Sequence, residues 1–197
     1  MRDLSRRHLS RILFVLLVVG VVAASLGVAS NAIWTDSQDV DANVFSTGTI
    51  DISTNPTTAL VTFSGMAPGD EVTNDITVTN AGSLELRYAV TSDTTEDTLA
   101  AQLDLTIKTG VTTCTNVGFG VDGTVIYGPG DLGSTTGTDV IGDPTQGADT
   151  GDRTLAASAD EDLCFNVELP SATGNSFQGL TTTATFAFAA EQTANNP

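Results

Sequence analysis

Two hydrophobic regimes divide this chain. Ile12 to Val22 is a continuous apolar run, whereas from Ile50 onward apolar and polar residues mostly alternate. Alternation with period 2 puts successive side chains on opposite faces of a strand. Ile50 and Ile52 flank Asp51, and Val61 and Phe63 flank Thr62. Val72, Ile76 and Val78 share one face, with Thr73, Asp75, Thr77 and Thr79 on the other. Leu84, Leu86, Tyr88 and Val90 interleave with Glu85, Arg87 and Ala89, and Asn80-Ala81-Gly82 between the two runs predicts a hairpin. Met66-Ala67-Pro68-Gly69-Asp70 predicts a turn, because Pro pre-sets φ and Gly tolerates positive φ.

Farther along, Thr95–Gln102 predicts a short helix with Thr94 or Thr95 as N-cap and Glu96 and Asp97 in its first turn. Strand patterning resumes at Leu103, Leu105 and Ile107 and again at Val125–Tyr127 after Asp122-Gly123. Residues 128–152 are mostly Gly, Thr, Asp, Ser and Pro, and are expected to be a long mobile loop with little to bury. Leu163, Phe165, Val167 and Leu169 then point one way, with Cys164, Asn166 and Glu168 on the opposite side. Ala184, Phe186 and Phe188 line the inner face of a last strand, Thr181–Ala189. About eight short strands punctuated by turns predict an all-β fold, a jelly-roll-like two-sheet β-sandwich with short helices and a long Gly/Thr/Asp-rich loop.

The apolar run changes the picture of where the chain works. Arg2, Arg6, Arg7 and Arg11 precede it, and it tapers through small residues to Ser30-Asn31-Ala32. A basic segment, a short apolar segment and a small-x-small site make up a secretory signal peptide. Residues 1–32 are therefore expected to be removed, with cleavage after Ala32 (after Ala29 as the alternative), leaving a candidate donor strand at 33–44 and one β-sandwich domain at 45–197. A retained membrane anchor is the competing reading, since Ile12–Ala29 is 18 residues, at the lower edge of spanning length. Its Ala, Gly and Ser content suits cleavage better.

Charge narrows the partners. The leader takes four of the seven bases and Asp3 with it, leaving 23 acids against Arg87, Lys108 and Arg153, a formal charge of −20. Nucleic-acid binding needs a basic footprint, so it is not expected, and neither is docking on anionic lipid. Membrane contact is expected only through the signal peptide before cleavage. Cys114 and Cys164 both lie in the exported part and read as one disulfide, which would contribute roughly 3–4 kcal/mol by restricting the unfolded chain.

No catalytic, cofactor or metal site is legible. His8 is the only histidine and departs with the leader, so the mature chain has no imidazole for a general base, a triad or a zinc site. The pairs Asp39/Asp41, Asp149/Asp152 and Asp160/Asp162 sit in turns of an acid-rich chain without calcium-loop spacing. What remains is the mature N-terminus. Ile33 and Trp34 open it, and Val40, Ala42 and Val44 keep strict period-2 spacing, so one apolar face could complete a neighbour's sheet. Such a contact runs head to tail and grows an open filament when its rotation does not close a ring.

Three blocks in order carry a family resemblance: IWTDSQDVDANVFSTGTIDIS after the leader, FSGMAPGDEVTNDITVTNAGSLELRYAVTS, and LCFNVELPSATGNSFQGLTTTATFAFAAEQT. They resemble the TasA, camelysin (CalY) and spore-coat-associated proteins with a SipW-type signal. The resemblance implies a secreted jelly-roll domain, processed by a dedicated signal peptidase, that builds extracellular fibres of the biofilm matrix. Its implied partners are copies of itself and other matrix proteins, with the N-terminal strand, here Ile33–Val44, donated between subunits. The region from about 110 to 152, with Cys114, departs from the family pattern. The alternatives are a monomeric surface adhesin or carbohydrate-binding sandwich, poorly provisioned with Trp34 as its only Trp, and a camelysin-type metallo-endopeptidase, which a histidine-free mature chain serves badly.

Overall fold

The computed structural model describes residues 2–27, 44–58 and 64–196. The chain divides into two units, Met1–Phe45 and Ser46–Pro197. In the first, α1 (Arg2–Gly27) takes in the whole apolar run. Among the described residues no helix is long and apolar enough to cross a membrane. The expected strand around Val61 and Phe63 lies outside the described residues.

The second unit is a two-sheet sandwich. Sheet A runs β1 (Ile52–Asn55), β2 (Glu71–Asn80), β8 (Asp160–Glu168), β4 (Asp104–Thr109), β5 (Thr124–Asp131) in that lateral order, every neighbour antiparallel. Sheet B centres on β3 (Leu86–Thr94), with β9 (Ala184–Gln192) along one side. The short strands β6 (Thr138–Ile141) and β7 (Arg153–Leu155) lie end to end along the other. Inward rows meet between the sheets: Ile76, Val78, Leu105, Ile107, Leu163, Phe165 and Val167 from A, and Leu86, Tyr88, Val90, Ile141 and Leu155 from B, are buried in one cluster. Phe165 and Phe186 meet edge-on across the two sheets with ring centroids 5.0 Å apart, the geometry favoured by the aromatic quadrupole.

Pro68 and Gly69 form the expected turn: Asp70 N–H donates to Ala67 O at 2.9 Å, and Gly69 has φ +94°, a conformation only glycine adopts freely. The predicted hairpin does not form. β2 is flanked by β1 and β8, so β3 has no edge of β2 to pair with and crosses to the opposite sheet instead. Alternation shows which face is apolar, and it cannot say whether two such strands pair edge to edge or stack face to face. Asn80, fully buried, holds this crossover: its Nδ2 donates to Leu84 O, Leu155 O and Ala156 O, and its Oδ1 accepts from Gly82 N–H at 2.9 Å. A Cβ on Gly82 would sit 2.5 Å from Thr49 O, so the close approach of chain 49–51 requires glycine there.

The expected helix at 95–102 is a pair of turns. The Glu96 carboxylate, rather than a threonine, caps it by accepting from the N–H groups of Thr98, Leu99 and Ala100. The segment 128–152 is more built than its composition suggests: it contributes β6 and buries Leu132, Val140 and Ile141. Its polar residues bond one another, as where Asp152 accepts from the N–H groups of Asp143 and Asp149. Short-range self-bonding organises a loop that has few apolar side chains to anchor it.

Candidate functional site

Of the expected donor-strand residues, Ile33, Trp34, Val40 and Ala42 lie outside the described residues, as does the expected cleavage point Ala32. Val44 is described, outside any strand and largely exposed.

Strand edges are the structural counterpart of such a segment. Among the described residues β9 pairs only with β3. Its inward row Ala184, Phe186, Phe188 and Ala190 packs on the core yet is only partly buried. β9 is thus a nine-residue edge whose apolar row is already turned inward.

The second built feature is the connection between β4 and β5. Residues 110–123 fold back as a flap over the outer face of sheet A. Cys114 is bonded to Cys164 on the central strand β8, with Cα atoms 5.6 Å apart. Thr115 caps the single-turn helix α2 (Asn116–Phe119) by accepting from Gly118 N–H. Asn116 Nδ2 donates to Glu71 O at 2.8 Å. Lys108 Nζ donates to Phe119 O at 2.6 Å and lies 4.4 Å from the centre of the Phe119 ring. Thr112 donates through both N–H and Oγ1 to the Asp122 carboxylate, holding that carboxyl below its usual range.

All three bases of the sandwich are occupied internally. Lys108 is held under the flap. Arg87, 6% exposed, pairs with Glu191 at 3.1 Å and donates to Asn196 O. Arg153 Nε donates to both Glu161 oxygens, at 3.1 and 2.9 Å, and Tyr88 Oη and Thr109 Oγ1 donate to the same carboxylate at 2.8 and 3.0 Å. Burial alone would raise the Glu161 carboxyl, but the bonds from Arg153, Tyr88 and Thr109 outweigh it and hold the group low. Burial and the facing carboxylate push the Tyr88 phenol far above its ordinary value. This cluster ties β3, β4, β7 and β8 together.

What is left for the surface is negative. Register sets Glu71, Glu168, Asp104 and Asp131 directly opposite one another across β2, β8, β4 and β5. Like charges so opposed destabilise a sheet. Neither this row nor the flap was visible in the sequence, because both depend on which strands pair and in what register.

The side chains of the described residues do not fit a metal centre. Among the described residues no group of three or more His, Cys, Asp or Glu side chains is placed to hold a metal ion. Both cysteines are spent in the disulfide, and Glu161 is saturated by its donors. A cavity of about 250 Å³ beside the disulfide, lined by Asp75, Thr113, Asp162 and Cys164, is smaller than ordinary ligand pockets of roughly 300–1,000 Å³.

Comparison with known proteins adds two findings. The family model described as camelysin metallo-endopeptidase matches residues 13–196. The chain is also similar to the major biofilm matrix component of Bacillus subtilis (strain 168), with 35% identity over 75 residues, 36% of this chain and 29% of that protein. The matched part thus spans less than a third of the relative's length.

Proposed function

Because the chain belongs to the TasA/camelysin family, we propose that it is a structural subunit of an extracellular fibre, of the biofilm matrix or the cell surface, rather than an enzyme. The relative described as a biofilm matrix component supports the matrix role. Among the described residues the family's metallo-endopeptidase description finds no donor set, so no hydrolytic step is assigned.

Export comes first: the leader 1–32 directs the chain out of the cell, and a signal peptidase cuts after Ala32. Polymerisation then proceeds head to tail. The freed segment Ile33–Val44 leaves its own subunit and adds to the edge of β9 in the next. Backbone N–H and C=O groups pair along the edge, and Val40, Ala42 and Val44 turn toward the half-covered row of Phe186 and Phe188. The observation that carries this reading is the β9 edge, paired on one side among the described residues and apolar on its inner face. Other matrix proteins are further partners.

Mature protein, its start checked by N-terminal sequencing, is expected to form filaments under the electron microscope. A chain lacking Ile33–Val44 is expected to form no filaments. Filaments from the shortened chain would refute strand donation.

A further inference from the structure

The flap between β4 and β5 carries two of its apolar side chains outward. Val117 is 86% and Val121 77% exposed, four residues apart on either side of the buried Phe119. Val125, 48% exposed, follows on β5, directly opposite Lys108 and therefore on the same outer face of sheet A. β5 is itself an edge, paired with β4 alone among the described residues. These valines are not on a loose tip. The disulfide to Cys164, the Lys108 bond to Phe119 O and the Asn116 bond to Glu71 O hold the flap at three points. Valines held outward on a braced loop lose little side-chain freedom when covered, which is what a contact surface requires.

Charge selects the occupant. Two copies of this chain repel wherever their carboxylates face, and the three bases that could offset them are occupied inside each molecule. From Gly110 to Gly130 there is one acid, Asp122, already bonded by Thr112, and no free base. A cationic partner would settle on the opposed carboxylates of Glu71, Glu168, Asp104 and Asp131 rather than here. A second acidic copy can approach through this neutral, apolar strip without burying a carboxylate.

We propose that the flap tip, Val117 and Val121, with the adjoining start of β5 at Val125, is a lateral contact for a second copy of this chain. It joins filaments side by side, whereas strand donation joins subunits end to end. Its place in a filament rests on the fibre reading above; the contact itself does not.

The test compares mature wild-type protein with V117S/V121S and V117D/V121D by sedimentation velocity and electron microscopy. Side chains this exposed support no core, so circular dichroism and thermal midpoint should not change. Bundled filaments should become single, and side-by-side association should weaken roughly tenfold or more in the Ser variant and further in the Asp variant. Undiminished bundling in both overturns the contact. V40D/V44D in the mature chain separates the two readings: it should stop end-to-end growth yet leave a side-by-side dimer still weakened by V117S/V121S. If wild-type protein forms no filaments, the fibre reading fails and the dimer decides alone. A dimer weakened by V117S/V121S then supports the contact, and a strictly monomeric wild type overturns it.

Discussion

Asn80 shows how much one side chain can organise. Its amide reaches three carbonyls and one N–H at the point where the chain leaves sheet A for sheet B. Replacing it with Ala strands buried backbone groups, and Asn80→Ala is expected to cost about 2–4 kcal/mol in denaturant unfolding. Glu161 plays a comparable part between the sheets, with an acid-sensitive signature. Its carboxyl is held below the ordinary value of 4.5, so the folded state binds this proton more weakly than the unfolded chain. The contribution is complete above about pH 4.5 and is lost as pH falls through the lower folded value. Thermal midpoints of the wild type should therefore decline below that pH. Glu161→Gln should show a shallower acid limb, and about 2 kcal/mol less stability at neutral pH from leaving Arg153 unpaired. An acid limb unchanged by that substitution would remove Glu161 from the account.

At the level of elements, the disulfide and the edge strand make separable predictions. Cys114 and Cys164 were legible as a pair from their number and the expected export, but not the consequence that they pin a flap across sheet A. Cys114→Ser/Cys164→Ser should lower stability by about 3–4 kcal/mol. Because the core beneath is built from β2, β4 and β8 without the flap, the sandwich should still fold, with faster hydrogen exchange confined to 110–123. The edge of β9 can be tested on the acceptor side: a proline at Ala190, whose N–H faces away from β3 because the ladder bonds run through the odd positions, as at Thr193 N–H to Glu85 O, should impair filament growth through the lost donor N–H. If growth persists with folding intact, β9 is not the acceptor. The hairpin expected at 80–82 failed for an element-scale reason, since both edges of β2 were taken by β1 and β8.

Across residues 33–197, 23 acids meet three bases that never reach the surface unpaired, a formal charge of −20. Assembly of such subunits must overcome repulsion. Raising monovalent salt from about 10 to about 150 mM shortens the screening length from roughly 30 to 8 Å, and light scattering should report faster assembly. A rate indifferent to salt would mean that surface charge does not govern association. By itself the sequence determined the all-β class, the inward rows of β2, β3, β8 and β9, the turn at Pro68-Gly69, the disulfide partners and the acidic surface. Each of these follows from local spacing, from backbone preference or from counting. Tertiary structure alone decided that β2 and β3 stack instead of pair, and that 128–152 yields a strand. It also set four carboxylates opposite one another and made 110–123 a braced flap with two valines outward. Those outcomes depend on which strand edges are already occupied when distant segments meet, and period-2 alternation is the same for a strand whichever partner it finds.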